Sequence, residues 1–236
     1  MNYPAGTMHL ENPQPRLFAF WTGDNPISQD RLDALETLKR TEMELCFITP
    51  ANLQDWILPH TVLHPSYVYL SAIHRADYLR TYFMHHYGGG YSDLKQTRNS
   101  WLPHYRKLTE SENYAVGYPE IGWRGVARVG LPQYLHLIWH RKKLIGNCAY
   151  IFRPHTPFTS EWFSLLTGQL DRLHDRLKKN PAIHPEDRAG RVVDGVSSNY
   201  PVKWSQLLGD IFHPLCLKYH SRMSRTLPAP SFARID

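Results

Sequence analysis

A single α/β domain, Rossmann-like, with a mostly parallel central sheet flanked by helices, is the fold this sequence predicts. Three observations carry it. Residues 16–21 (RLFAFW) form a short apolar run, a helical pattern follows, and residues 44–49 (ELCFIT) form a second run, a β-α-β opening. A longer helical stretch then leads through Gly88-Gly89-Gly90 to another short strand. The chain has 236 residues, 42% apolar and 20% charged, which suits one domain of ordinary globular composition.

The elements are expected in this order. Residues 1–15 contain three prolines and little apolar content, and read as an irregular arm. After the first strand, Thr22-Gly23-Asp24-Asn25-Pro26 breaks the chain, and Ser28 is placed to cap a helix running to Arg40, with Leu32, Leu35 and Leu38 on one side. The second strand is followed by a loop containing Pro59 and Pro65 and then a long helix at 66–87. There Val68, Ala72, Ala76, Leu79 and Phe83 recur at helical spacing. Residues 91–94 form the next strand. Short strands are expected at 114–117 and 125–129, a helix at 132–142, and a buried strand at 147–152 (NCAYIF). Pro157 opens a long amphipathic helix to Lys179. A polar loop fills 180–201, a last helix spans 202–212, and 214–236 is read as a basic, proline-containing tail. The domain itself is therefore set at 16–213.

Bulk charge narrows the partners. The formal charge is +6, from 27 basic and 21 acidic residues, with 14 histidines in reserve. This favours anionic partners such as a nucleotide diphosphate or acidic lipid. The basic residues are scattered, so nucleic acid is not expected. Aromatics make up 13% of the chain, enough either to stack on sugars and bases or to fill a Tyr- and Trp-rich core. Cys46, Cys148 and Cys216 are far apart with no CxxC spacing, which predicts a reduced, cytoplasmic protein. The start lacks the apolar region of a signal peptide. No run approaches the roughly 20 apolar residues that span a bilayer. Residues 213–225 mix Leu215, Leu217 and Tyr219 with Lys218, Arg222 and Arg225, which suits either a solvated tail or peripheral contact with an anionic inner membrane face.

The chemistry concentrates in residues 72–95 (AIHRADYLRTYFMHHYGGGYSDLK). Asp77 and Arg80 are three apart on the helix, hence neighbours on one face, either as a site or as a surface ion pair. The glycines permit a helix end and close backbone approach to a ligand, or simply a turn. Asp93 and Lys95 follow at the strand end, where α/β proteins bind phosphorylated ligands. Histidines add little: His85 and His86 are adjacent and point about 100° apart on a helix. His136 and His140 share a face but lack an acidic third ligand, so no zinc site is expected. No G-x-S-x-G points to a hydrolase.

The order A-x-x-x-A-D-Y-L-R, then Y-G-G-G-Y-S-D-L-K, resembles the core of glycosyltransferase family 32, which capsular-polysaccharide synthesis proteins and clostridial glucosylating toxins share. Leu17–Gly23 resembles the same group's first strand, and Asn147-Cys148-Ala149-Tyr150 with His155-Thr156-Pro157-Phe158 resembles its later strand and helix entry more loosely. The resemblance implies a GT-A-like domain moving a sugar from a nucleotide-sugar donor, with retention, onto a polysaccharide or glycolipid acceptor such as a lipid-linked glycan of capsule or lipopolysaccharide. It implies that Trp21 and Tyr91 hold the nucleoside, that Asp77 and Arg80 hold the sugar, that Asp93 with Lys95 handles the diphosphate, and that Phe20, Thr22, Gly23, Gly89, Gly90 and Asn147 line the donor site. Arg75 and Lys203 are expected as extra cations, with Trp204 beside Lys203 in a closing loop. One departure stands out. The family's D-x-D holds Mn²⁺ or Mg²⁺, and here its second Asp is Lys95, so metal binding at Asp93 is in doubt. Either the Lys95 ammonium takes over part of the ion's role, or another acid completes a metal site, or catalysis is lost and a nucleotide-sugar- or carbohydrate-binding protein remains.

Overall fold

The computed structural model describes residues 15–232, so the expected arm lies outside the described residues apart from Pro15. Strand β1 (Arg16–Phe20) leads through helix α1 (Gln29–Leu38) to strand β2 (Glu44–Ile48). Helix α2 (Ala72–His86) precedes strand β3 (Gly89–Ser92), and helix α3 (Leu102–Thr109) precedes strand β4 (Ala115–Pro119). Helix α4 (Gln133–Trp139), strand β5 (Ile145–Phe152) and the long helix α5 (Pro157–Lys179) follow. A small hairpin, β6 (Val192–Val193) and β7 (Val196–Ser197), then helix α6 (Gly209–Lys218) and strand β8 (Met223–Ser224) complete the chain.

The central sheet has six strands in the order β2-β1-β3-β5-β4-β8. β1 is parallel to β2 and β3, β5 is antiparallel to β3 and β4, and β4 is parallel to β8, so β5 alone runs backwards. The predicted class, α/β with a mostly parallel sheet flanked by helices, is found. Alternation along β1 sorts the layers. Leu17 and Ala19 pack on one face with Leu38, Trp101 and Leu108, whereas Phe18 and Phe20 pack on the other with residues of α2, α5 and α6. Each buried leucine or phenylalanine among them contributes roughly 1.5–3 kcal/mol by leaving water.

This layering positions the site. From β1 the chain crosses one face through α1 to β2, then returns past β1 across the other face through α2 to β3. The strand order therefore reverses at β1, and the carboxyl ends of β1 and β3 open a crevice between outgoing and returning connections.

Several expected boundaries move. The long helix starts at Ala72 rather than 66, because Leu70 and Ser71 take extended backbone. That break folds a short 3-10 turn (Pro65–Tyr69) back, so that Tyr67 meets Tyr78 at 5.4 Å. In α1 the buried residues are Ala34 and Leu38, and Leu32 is exposed. No strand forms at 125–129, since both edges of β4 are already taken by β5 and β8. The last helix is α6, not 202–212, and it carries Pro214 inside it. Phe212, Leu215 and Cys216 are buried and fix that helix by packing. The segment read as a tail from 214 thus includes half of α6 and the edge strand β8. Tyr219 donates its hydroxyl to Glu161 at 2.7 Å and Lys218 pairs with the same carboxylate, so these residues bind the protein's own surface. Helix α3 had no expectation in the sequence.

Gly88 and Gly89 end α2 and start β3 with φ of 64° and 83°. A Cβ on Gly89 would lie 2.7 Å from the Arg16 carbonyl oxygen, so the glycine lets β3 close on β1. Among the described residues, no helix is long and apolar enough to cross a membrane.

Candidate functional site

A cleft of about 610 Å³ opens at the carboxyl ends of β1 and β3 and the first turns of α2. Its lining brings together Phe20, Trp21, Thr22, Gly23, Asp77, Arg80, Tyr91, Asp93, Lys95, Asn147 and Trp204 from the predicted set. Arg75, Gly89, Gly90 and Lys203 do not line it. Arg75 turns away from the cleft, donating to the Val68 carbonyl at 3.0 Å. Gly89 and Gly90 sit at the opposite end of β3, paired with Phe152 and Ile151, where they serve strand packing rather than a donor. Lys203 is exposed, and its carbonyl bonds to His74 Nε2 at 3.1 Å.

At the floor lies a buried ionic group. Arg80 Nη2 is 3.3 Å from Asp77 Oδ1 and 3.5 Å from Asp93 Oδ1, and Nη1 donates to the Asn147 carbonyl at 3.0 Å. Its guanidinium lies 4.6 Å over the Tyr91 ring. The helix spacing of three places Asp77 and Arg80 on one face, and the strand end brings Asp93 to them. The Tyr91 hydroxyl donates to Asp93 Oδ1 at 2.6 Å, and the ring packs against Phe20 and Tyr150. Tyr91 is therefore a buried support for Asp93, not an open face for a base. The Arg80 guanidinium is raised well above its usual range: burial opposes this, but Tyr91, Asp77 and Asp93 hold the proton.

The wall is built from the first loop. Thr22 Oγ1 donates to the Ala72 carbonyl at 2.5 Å, tying the end of β1 to the start of α2. The Trp21 indole N–H donates to the Asn25 carbonyl at 2.9 Å, which sets its ring at the cleft edge, partly exposed. Trp204 also lines the cleft, 61% exposed, with Arg188 at 5.1 Å over its ring.

The cleft also holds residues that the sequence did not single out, chiefly Arg31, Arg124, Glu186 and Phe232. Arg31 donates to the Leu94 carbonyl at 3.4 Å, and Lys95 lies 5.5 Å over Phe232. None carried a local signal, because each comes from a separate element. With Arg80 and Lys95, four cations meet three carboxylates there. Arg80 is engaged by two of those carboxylates, and Glu186 pairs with Arg191 at 3.5 Å. A hard divalent ion takes several oxygen ligands. Asp93 Oδ1 is already held by Tyr91 and Arg80, and Lys95 stands where the resembled motif has its second acid, so the motif by itself, with one engaged carboxylate, does not supply the ligands of such an ion.

Burial pushes the Asp77 carboxyl up to about 7, against Arg80, which lowers it, while Asp93 adds to the rise. The unfolded chain releases this proton near the usual value of 3.8. Between those limits the folded state binds more protons than the unfolded state, so this group's contribution to stability falls as pH rises from about 4 to 7. Asp77→Asn is expected to remove that slope. Urea midpoints measured for both proteins across pH check it, and parallel curves would refute it.

No family model and no curated protein matches the chain. Among solved structures it is similar to one titled "PaToxG Glycosyltransferase", at 13% identity and a TM-score of 0.39. The match covers 70% of this chain and 64% of that one. The chain therefore spans less than two thirds of that structure's matched chain, and a likeness at this level bears on neither site nor substrate.

Proposed function

We propose that the protein is a glycosyltransferase with a GT-A-like domain, taking a nucleotide-sugar donor in the cleft at the ends of β1 and β3. One observation supports this above the others: Asp77, Arg80, Asp93 and Lys95, which the sequence links to a sugar-transferase core, meet Trp21 around a single crevice at the switch point of the sheet. The crevice has the size of a small-molecule site and carries the cations a diphosphate needs.

In this reading Trp21 stacks on the base, a contact contributing about 1–3 kcal/mol. Lys95, with Arg31 and Arg124 nearby, binds the diphosphate. Asp77 accepts from a sugar hydroxyl when ionised and donates to it when protonated, and Arg80 holds Asp77 and Asp93 in place. During transfer the anomeric carbon–oxygen bond to the diphosphate breaks and the acceptor oxygen bonds that carbon. The acceptor's proton leaves on the departing diphosphate, whose growing charge the cations offset. No step here is routed through a metal ion. The acceptor is a glycan or lipid-linked glycan, and transfer proceeds with retention.

Thermal shift with UDP-, GDP-, CMP- and TDP-sugars, each in EDTA and in Mn²⁺, tests the reading. One donor stabilising the protein equally in both conditions is expected. Stabilisation by a donor only with Mn²⁺ keeps the transferase but removes the metal-free account. No response to any donor removes the transferase and leaves a binding protein for some other ligand.

A further inference from the structure

Three imidazoles converge at the far end of α2, away from the cleft. His85 and His86 close that helix, and His155 comes from the turn between β5 and α5. One ring nitrogen from each lies within 4.8 Å of the others, the only grouping of three or more His, Cys, Asp or Glu side chains of this kind among the described residues. The ring centroids are 4.6 Å apart for His85–His86, 4.9 Å for His85–His155 and 6.0 Å for His86–His155. Adjacent helical positions diverge by about 100°, so the pair has a common point only because His155 is brought against it. The His155 amide donates to the His85 carbonyl at 3.0 Å, and its backbone holds φ of 54°, uncommon outside glycine.

The surroundings suit a bound ion. His86 Nε2 is buried with no hydrogen-bond partner, an arrangement that costs about 1–3 kcal/mol when nothing fills it. Phe163 stacks on His85 at 5.2 Å and meets His86 edge-on, and Tyr82 lies 4.5 Å from His86. The Thr159 hydroxyl is 3.5 Å from His85 Nδ1, placed to fix its tautomer. The carboxyl end of α2 also carries the negative end of the helix dipole.

We propose that His85, His86 and His155 bind a divalent transition metal ion, zinc foremost, with a fourth position open to water on the exposed side of His155. Three neutral imidazoles are a ligand set zinc takes with an open position. Bonds of about 2.0–2.1 Å to a tetrahedral ion set the nitrogens roughly 3.4 Å apart, so binding draws the three rings together from their present spacing of up to 4.8 Å. The ion would pin the end of α2 to the start of α5, stiffening the helix that carries Asp77 and Arg80. This holds whether or not the cleft transfers sugar.

The test uses the full chain without a polyhistidine tag. Zinc titration by calorimetry is expected to give one ion per chain and a raised melting temperature. His86→Ala and His155→Ala should weaken uptake at least 10-fold. His136→Ala, in the separate pair with His140 (centroids 4.7 Å apart), should leave it unchanged. His155→Cys loaded with Co²⁺ should gain a thiolate-to-cobalt charge-transfer band, which a purely structural His155 would not produce. Absent stoichiometric uptake, uptake indifferent to His155→Ala, or no such band in the Cys variant overturns the proposal.

Discussion

Arg80→Ala is expected to destabilise the protein by about 3–5 kcal/mol and to abolish donor binding. The guanidinium sits between Asp77 and Asp93, and both arginine and Asp77 side chains are only 10% exposed. Removing one partner from a buried ionic group leaves the others without compensation, which accounts for the size of the loss. Arg80→Lys should recover little, since a single ammonium nitrogen lacks the planar fork whose Nη1 reaches the Asn147 carbonyl while Nη2 reaches the two carboxylates. The loss should shrink as pH falls, because protonation relieves the abandoned carboxyls. A triple variant with Asp77→Asn and Asp93→Asn should regain stability without regaining donor binding. Urea unfolding and donor titration read both effects. A loss below about 1 kcal/mol would mean the group behaves like a surface pair.

Lys95→Ala should leave stability nearly unchanged and weaken the donor. Lys95 stands at the cleft edge, partly exposed, over Phe232. A hydrogen bond to a charged group contributes about 1.5–3 kcal/mol, or roughly 10- to 150-fold in Kd. Lys95→Arg should retain most of the affinity, and added salt should weaken the native protein more than the alanine variant. Lys95→Asp removes the ammonium and adds an acid beside Asp93, so donor binding should now respond to Mn²⁺. Affinity unaltered in Lys95→Ala would sink the idea that this lysine meets the diphosphate.

Much of the fold was legible because its signals are local. Apolar runs marked β1, β2 and β5, and Pro157 marked the start of α5, where the structure adds a Thr156 cap. The start of α2 was misplaced because helical spacing continued through Ser66–Leu70, while the packing of Tyr67 on Tyr78 turned the chain there. The expected strand at 125–129 has strand-like composition, but both edges of β4 are taken by β5 and β8. Helix α6 crosses Pro214, a residue that local rules read as a stop. At the site, the motif residues Asp77, Arg80, Asp93 and Lys95 were named from order and spacing. Arg31, Arg124 and Phe232 were not, since nothing within a few residues of any of them points to a cleft.

By itself the sequence determined the α/β class, the elements that alternate with their own period, and the close spacing of Asp77 with Arg80 and of Asp93 with Lys95. Those follow from periodicity and from residue types a few positions apart. Only the tertiary structure decided that Gly89 serves strand packing, that Tyr91 props Asp93 instead of facing a base, and that His155 joins His85 and His86. Each of these depends on which distant segment fills the adjacent space, and a one-dimensional pattern carries no record of that.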